Sequence, residues 1–455
     1  MYNNFEYDKT LVKFAPSPRQ LKVQQMEFYA FAHFGVNTFT DREWGDGTES
    51  PAIFNPTEFD ANQWVDALKA AGIGGLILTC KHHDGFCLWP SAYTEHSIKN
   101  SLFQNGKGDI VREVSDACKR GGIAFGVYLS PWDRNSKLYG TDEYNDYFCN
   151  QLTELLTEYG ELFTVWFDGA CGEGPNGKKQ VYDWERYYAL IRKLQPNACI
   201  AISGPDIRWC GNEAGVTRPC EWSVLPVFNE SRVNMTDQDL GSRAVLKGIS
   251  DLQWRPSETD VSIRPGWFYH SYEDDKVRST ENLLDIWYRT VGGNSTLLLN
   301  IPPDKRGLFC ETDVQRLEEM GKHIRQTFAK NHAENAVITA DTDDGIHFPD
   351  ALKNDSYDTY YKSKDGDNQV TLTIELDGIK EITHVVIKEH IPMSQRVETF
   401  AIDIKTSDAS YTEIAVGTTI GYKKILNFAP IKTDTVRIRV TDSRVCPVLS
   451  FVGVY

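Results

Sequence analysis

Along the first three quarters of the chain, continuous apolar runs alternate with amphipathic stretches. Phe28–Phe39 reads as an apolar, strand-like run that ends in polar residues. Asp60–Ala71 then carries Trp64, Ala67, Leu68 and Ala71 at helical spacing, and Gly74–Lys81 (GGLILTCK) reads as a buried strand. The pattern predicts further repeats of this unit: helix Asp109–Lys119, strand Ile123–Pro131, helix Glu143–Tyr159, strand Leu162–Asp168, helix Trp184–Leu194 and strand Cys199–Gly204. Beyond it the phasing weakens. Strands are predicted at Glu258–Ile263, Trp267–His270 and Thr296–Ile301, with a helix over Glu281–Val291, while Pro219 to Arg255 has weak periodicity. Such alternation, at a spacing of roughly 40 residues, implies a parallel sheet with helices outside it. No GxGxxG or P-loop follows the first strand, which disfavours a doubly wound nucleotide binder. The predicted architecture is a (β/α)8-like barrel, irregular in its second half.

After a helix predicted over Thr312–Lys330 the texture changes to short alternating runs: Val370–Leu376, Ile382–Glu389, Val397–Lys405, Thr412–Val416, Lys424–Phe428, Val436–Thr441 and Leu449–Val454. Turn-forming Gly, Asp, Ser and Pro separate them, which predicts a β-sandwich of jelly-roll type. The expected domains are therefore 1–334 and 335–455, packed together because no long linker separates them.

Composition adds exclusions. The net charge of −16 argues against nucleic acid, anionic membranes and polyanionic ligands, and suits a neutral one. No apolar run approaches the roughly 20 residues of a membrane span, so no membrane insertion is expected. The opening MYNNFEYDKT lacks the layout of a signal peptide, so the expectation is a cytoplasmic chain, or a periplasmic or secreted one whose export signal was removed. The 10 Cys show no CxxC pairing and read as reduced and structural. The 11 Trp, 21 Tyr and 22 Phe serve a core first, but sugar clefts use the same rings.

The chemistry gathers at predicted strand ends, where barrel enzymes place their reactive groups. Asp168 closes the apolar run Leu162–Phe167, and a carboxylate there is costly unless something uses it. Glu213 lies in a polar, Gly-punctuated stretch, Asp206–Gly215. One ionised and one protonated carboxyl is what a glycosidase needs. His33, Glu43 and Trp44, His82 and His83, Tyr128, Trp132, Trp222, Glu258, Asp260 and Arg264 fall at or beyond other strand ends and outline a pocket for a polyhydroxylated ligand. Each has a bland alternative. His33 reads equally as a core histidine, His82-His83 as a structural pair or as metal ligands beside Asp84, Asp168 as a helix cap, and Glu213 as a loop carboxylate.

Ala32–Phe39 (AHFGVNTF), Thr79–Phe86 (TCKHHDGF), Val165–Gly169 (VWFDG), Ser262–His270 (SIRPGWFYH) and Leu297–Pro303 (LLLNIPP) occur in this order. Together they resemble the alpha-L-fucosidases of glycoside hydrolase family 29, over residues 15–330. The resemblance implies a (β/α)8-like barrel, no metal or other cofactor, and hydrolysis of a terminal alpha-L-fucoside by double displacement with retention. It makes Asp168 the nucleophile and assigns His33, His82, His83, Glu43 and Trp44 to the fucose ring. The stretch Arg208–Gly215 resembles the branch that prefers α1,3/4-linked, Lewis-type fucose and points to Glu213 as acid/base. The C-terminal part resembles the discoidin-like sandwiches attached to these enzymes. Trp44 and Trp222 are expected against the C6 methyl, and Arg264 beside a carboxylate at the rim. The partner expected is a fucosylated oligosaccharide or glycoconjugate. The rivals are a metal-dependent hydrolase using His82, His83 and Asp168, and an inactive carbohydrate-binding protein.

Overall fold

The computed structural model describes residues 5–227 and 236–455. Eight parallel strands form the first layer: β1 (Phe28–Ala32), β2 (Gly75–Lys81), β3 (Ala124–Leu129), β4 (Thr164–Phe167), β5 (Cys199–Ile202), β6 (Arg208–Trp209), β7 (Ser257–Ser262) and β8 (Ser295–Asn300). Their spatial order is β5-β4-β3-β2-β1-β8-β7-β6, and a bridge between Ala201 and Ile207 nearly closes the ring. Strand alternation decides the two cores. Tyr29, Phe31, Ile77, Tyr128, Trp166, Cys199, Ala201 and Leu298 fill the barrel interior. Ala30, Leu76, Leu78, Val127, Val165, Ile200 and Leu299 face outward onto the helices.

The first half is regular, and its helices begin where the sequence supplies caps. Asp60 Oδ1 accepts from Asn62 N at 2.9 Å ahead of helix Ala61–Ala71, and Asp109 Oδ1 accepts from Arg112 N at 2.9 Å ahead of Ile110–Gly121. Gly72 and Gly122 end these helices in the left-handed conformation. The second half departs from the unit, as its weak periodicity predicts. Only residues 203–207 join β5 to β6. The long excursion to β7 is bracketed by an antiparallel pair, Val224–Pro226 with Leu252–Trp254. Two expectations need correction. The run from Phe28 stops being a strand at Ala32 and becomes a short helix over Val36–Thr40. Trp267–His270 is a loop, because the N–H groups of Trp267 and Phe268 bond the Glu43 carboxylate rather than a neighbouring strand.

The C-terminal domain is an antiparallel sandwich. Four predicted strands merge into two long ones, Val370–Glu389 and Lys424–Ser443, which pair with register shifts in place of turns. Val337–Ala340 and Tyr361–Lys362 are additional short strands. The domains share apolar packing. Val386, Ile425 and Phe451 of the sandwich belong to the barrel's outer core, and Ile391 and Tyr422 pack with Leu11, Val224 and Trp254. Half-buried Glu27 of the barrel takes Lys423 Nζ at 2.7 Å across the seam. Among the described residues all ten cysteines are unpaired, and no helix is long and apolar enough to cross a membrane.

Candidate active site

A cavity of about 370 Å³ opens at the C-terminal ends of the barrel strands. It is lined by Phe31, His33, Glu43, Trp44, His82, His83, Tyr128, Trp166, Asp168, Ala170, Glu213, Asp260 and Trp267. The structure thus brings both candidate carboxyls to one space.

Asp168 follows the last residue of β4. Its Oδ1 accepts from Ala170 N at 2.8 Å and its Oδ2 from Tyr128 Oη at 3.1 Å. Its backbone is also held, since Ser203 Oγ donates to Asp168 O at 3.2 Å. The carboxylate is therefore aimed by Tyr128 of β3 and by the turn directly after β4. It caps no helix, because the next one begins only at Trp184 with Asp183 as its cap. Glu213 is different. It sits exposed on the loop after β6, and its side chain accepts from Trp267 Nε1 at 3.3 Å.

The histidines have definite hydrogen-bonding faces. Asn300 Nδ2 donates to the Trp267 carbonyl at 2.8 Å, so its Oδ1 is an acceptor, and His33 Nδ1 at 2.8 Å must be the donor. Ser130 Oγ gives its single proton to the Trp132 carbonyl at 2.7 Å, so it accepts from His83 Nδ1 at 2.7 Å. In the neutral rings this leaves the Nε2 lone pairs of His33 and His83 free to accept a ligand hydroxyl. Burial holds both rings neutral: it lowers the pKa of His33 to about 3 and that of His83 to about 4. Burial, then the neighbouring His83 and His33, push His82 down as well. His82 and His83 lie 4.1 Å apart, with Trp132 against His83 at 5.0 Å and Trp44 on Trp132 at 5.6 Å. Trp44, 56 % exposed, forms an apolar wall at the mouth. Glu43 works from behind it. Its Oε1 meets His270 Nε2 at 2.6 Å, and its Oε2 accepts from Trp267 N at 2.8 Å, so it fastens the Trp267 loop.

Trp132, Trp222 and Arg264 do not line the cavity, and Trp132 reaches it only through its contacts with His83 and Trp44. Trp222 is buried with Leu225 and Leu240, and the Arg444 guanidinium lies 4.0 Å above its ring, because the chain after β6 folds outward against the sandwich. Arg264 does steady carboxylates, but away from the cavity: Nε donates to Asp313 Oδ2 at 2.8 Å and Nη1 to Asp274 Oδ1 at 2.7 Å. Asp260, expected at a strand end, does line the space, and Phe31, Trp166 and Trp267 line it without having been singled out as site residues. Phe31 and Trp166 stand two residues before His33 and Asp168, so strand periodicity from those candidates was the available signal. Below the cavity, Glu258 accepts from Tyr29 Oη and, at 2.7 Å, from Trp166 Nε1, and burial raises its pKa to about 7. Asp260 accepts from Trp209 Nε1 at 2.8 Å, and burial, then Glu258 and Glu213, push its pKa well up. Among the described residues no three His, Cys, Asp or Glu side chains are arranged to hold a metal ion.

A nearly closed parallel barrel with carboxyls, neutral imidazoles and indoles around one strand-end cavity defines a glycoside-hydrolase class of site. Comparison with known proteins supplies the family. The alpha-L-fucosidase profile matches residues 17–327 and the F5/8 type C domain profile residues 337–449. Alpha-L-fucosidase 1 of Arabidopsis thaliana is 41 % identical over 448 residues, covering 97 % of this chain and 87 % of the relative. A putative alpha-L-fucosidase from Bacteroides ovatus superimposes with a TM-score of 0.87 at 48 % identity, covering 97 % of this chain and 74 % of that one. A Ruminococcus gnavus GH29 fucosidase in complex with fucose gives 0.86 at 32 % identity, covering 97 % and 95 %. The chain belongs to the alpha-L-fucosidase family of glycoside hydrolases, family 29.

Proposed function

We propose that this fucosidase removes α1,3/4-linked, Lewis-type fucose by double displacement, with Asp168 as nucleophile and Glu213 as acid/base. The observation that carries the reading is the shared cavity: a carboxylate fixed by Tyr128 and Ala170, and an exposed carboxyl on the loop after β6. Asp168 attacks the anomeric carbon and Glu213 protonates the departing oxygen. Glu213 then takes a proton from the water that releases fucose, the two carboxyls being about 5–5.5 Å apart in the productive state. His33 and His83 accept hydroxyl protons through Nε2, with His82 beside them. Trp44 and Trp166 offer apolar faces to the ring, and Glu43 holds the Trp267 wall. No step calls for a cofactor. The test is turnover of a Lewis-type trisaccharide, an α1,2-linked fucosyl-lactose and an aryl fucoside, with Asp168→Ala as control. Preferential cleavage of the branched sugar over the α1,2 isomer is expected. Equal cleavage of both oligosaccharides overturns the linkage preference, and undiminished turnover in the control overturns the nucleophile.

A further inference from the structure

The loop that bears Glu213 is gripped from outside the barrel. It leaves β6 at Cys210, whose carbonyl accepts from Arg218 Nη1 at 2.7 Å, so the far stem is tied to the near one. Glu221 locks that tie. Its Oε1 accepts from Arg218 Nη1 and Arg218 N, each at 3.1 Å, and its Oε2 accepts from Arg208 Nη2 on β6. Both guanidiniums and the carboxylate are buried, and a buried pair that loses one partner leaves an uncompensated charge.

Glu221 is in turn held across the domain seam. Gln395 of the sandwich, fully buried, donates from Nε2 to Glu221 O at 3.1 Å, and its Oε1 accepts from Ser223 N at 2.9 Å. Thr418 Oγ1 donates to Pro219 O at 3.1 Å. Asn294 Nδ2 donates to Glu221 O at 2.7 Å, and Asn294 Oδ1 accepts from Tyr422 N of the sandwich at 2.7 Å. Glu213 itself is exposed, lies near the Asp260 carboxyl, and accepts one side-chain hydrogen bond among the described residues, from Trp267 Nε1. Its position is therefore set by its stems more than by contacts of its own.

We propose that Gln395, acting through Glu221, is a positioning residue for Glu213, so that the C-terminal domain is part of the proton-transfer machinery. The inference rests on the reading of Glu213 as acid/base. A sugar leaving group needs the Glu213 proton, whereas an aryl leaving group of low pKa departs without it. Loosened stems should therefore harm oligosaccharide cleavage selectively, which a general loss of folding would not do.

The experiment compares the wild type, Gln395→Ala, Glu213→Ala and the double variant on an aryl fucoside and a Lewis-type trisaccharide. Gln395→Ala should lower kcat/KM on the trisaccharide about 10–100-fold, the usual cost of misplacing a reacting group, with the aryl substrate within about twofold. In the Glu213→Ala background the same change should cost less than about twofold, because the group it positions is gone. Equal loss on both substrates, or a full further loss in that background, overturns the positioning role while leaving Glu213 as acid. Equal loss on both substrates for Glu213→Ala alone overturns the acid reading, and this inference with it. If Gln395→Ala shows no cooperative melt, Thr418→Val is scored on the same two substrates by the same criteria.

Discussion

Asp168 and Glu213 reach one cavity from opposite halves of the barrel, and the halves are built differently. Asp168 ends a strand of the regular half, where strand and helix alternate and each turn is fixed by local hydrogen bonds. Glu213 hangs from the irregular half, where β6 has two residues and the loop after it is braced by Arg218, Glu221 and a second domain. Under the proposed mechanism this difference has a use: the group that attacks one atom along one line gains from a rigid strand end, and the group that gives and later takes a proton sits on a loop whose stems are held.

The largest break in this comparison is Asp168→Ala. It removes the rigid partner and should lower kcat/KM on every fucoside by at least about a thousandfold, as loss of a nucleophile does. Circular dichroism should be unchanged, and azide should rescue the still smaller Asp168→Gly variant by occupying the space. A smaller and selective effect is expected for Glu213→Ala: about 10²–10⁴-fold on oligosaccharides, the usual contribution of a general acid, and far less on an aryl fucoside with a good leaving group. Equal losses on both substrates would place the proton elsewhere.

The smallest effect concerns stability. Glu258, under the cavity, titrates at about 7 in the folded chain against 4.5 in the unfolded one, because burial disfavours its charge. Between those values the folded chain keeps a proton that the unfolded chain releases. This contribution is complete below about 4.5 and fades as pH rises through about 7. Glu258→Gln keeps an acceptor for Trp166 Nε1 and cannot ionise. Its melting temperature should fall less between pH 5 and 8 than that of the wild type, and parallel curves would refute the assignment.

Much of the regular half was legible because its signals are local. Helix Trp184–Leu194 matches its apolar spacing end to end, and Asp60 and Asp109 mark helix starts as caps. The carboxyl after β4 and the His82-His83 pair were visible for the same reason: each directly follows an apolar run that forms a strand, whereas Glu43 and Trp44 lie beyond the Val36–Thr40 helix. Trp222 was misread because the region after β6 has no period. An indole beside Glu221 looks the same in sequence whether it faces a sugar or, as here, an arginine of the other domain.

The sequence alone determined the alternation of strands and helices up to β5, the change of texture from barrel to sandwich and the carboxyl that follows β4, since each depends on contacts between near neighbours. Only the tertiary structure decided the rest. Phe31, Trp166 and Trp267 become walls through ring closure, the Nδ1 protons of His33 and His83 are fixed by Asn300 and Ser130, and Gln395 reaches Glu221 across a seam. Those contacts join residues separated by up to 267 positions, and no local pattern encodes a partner that far along the chain.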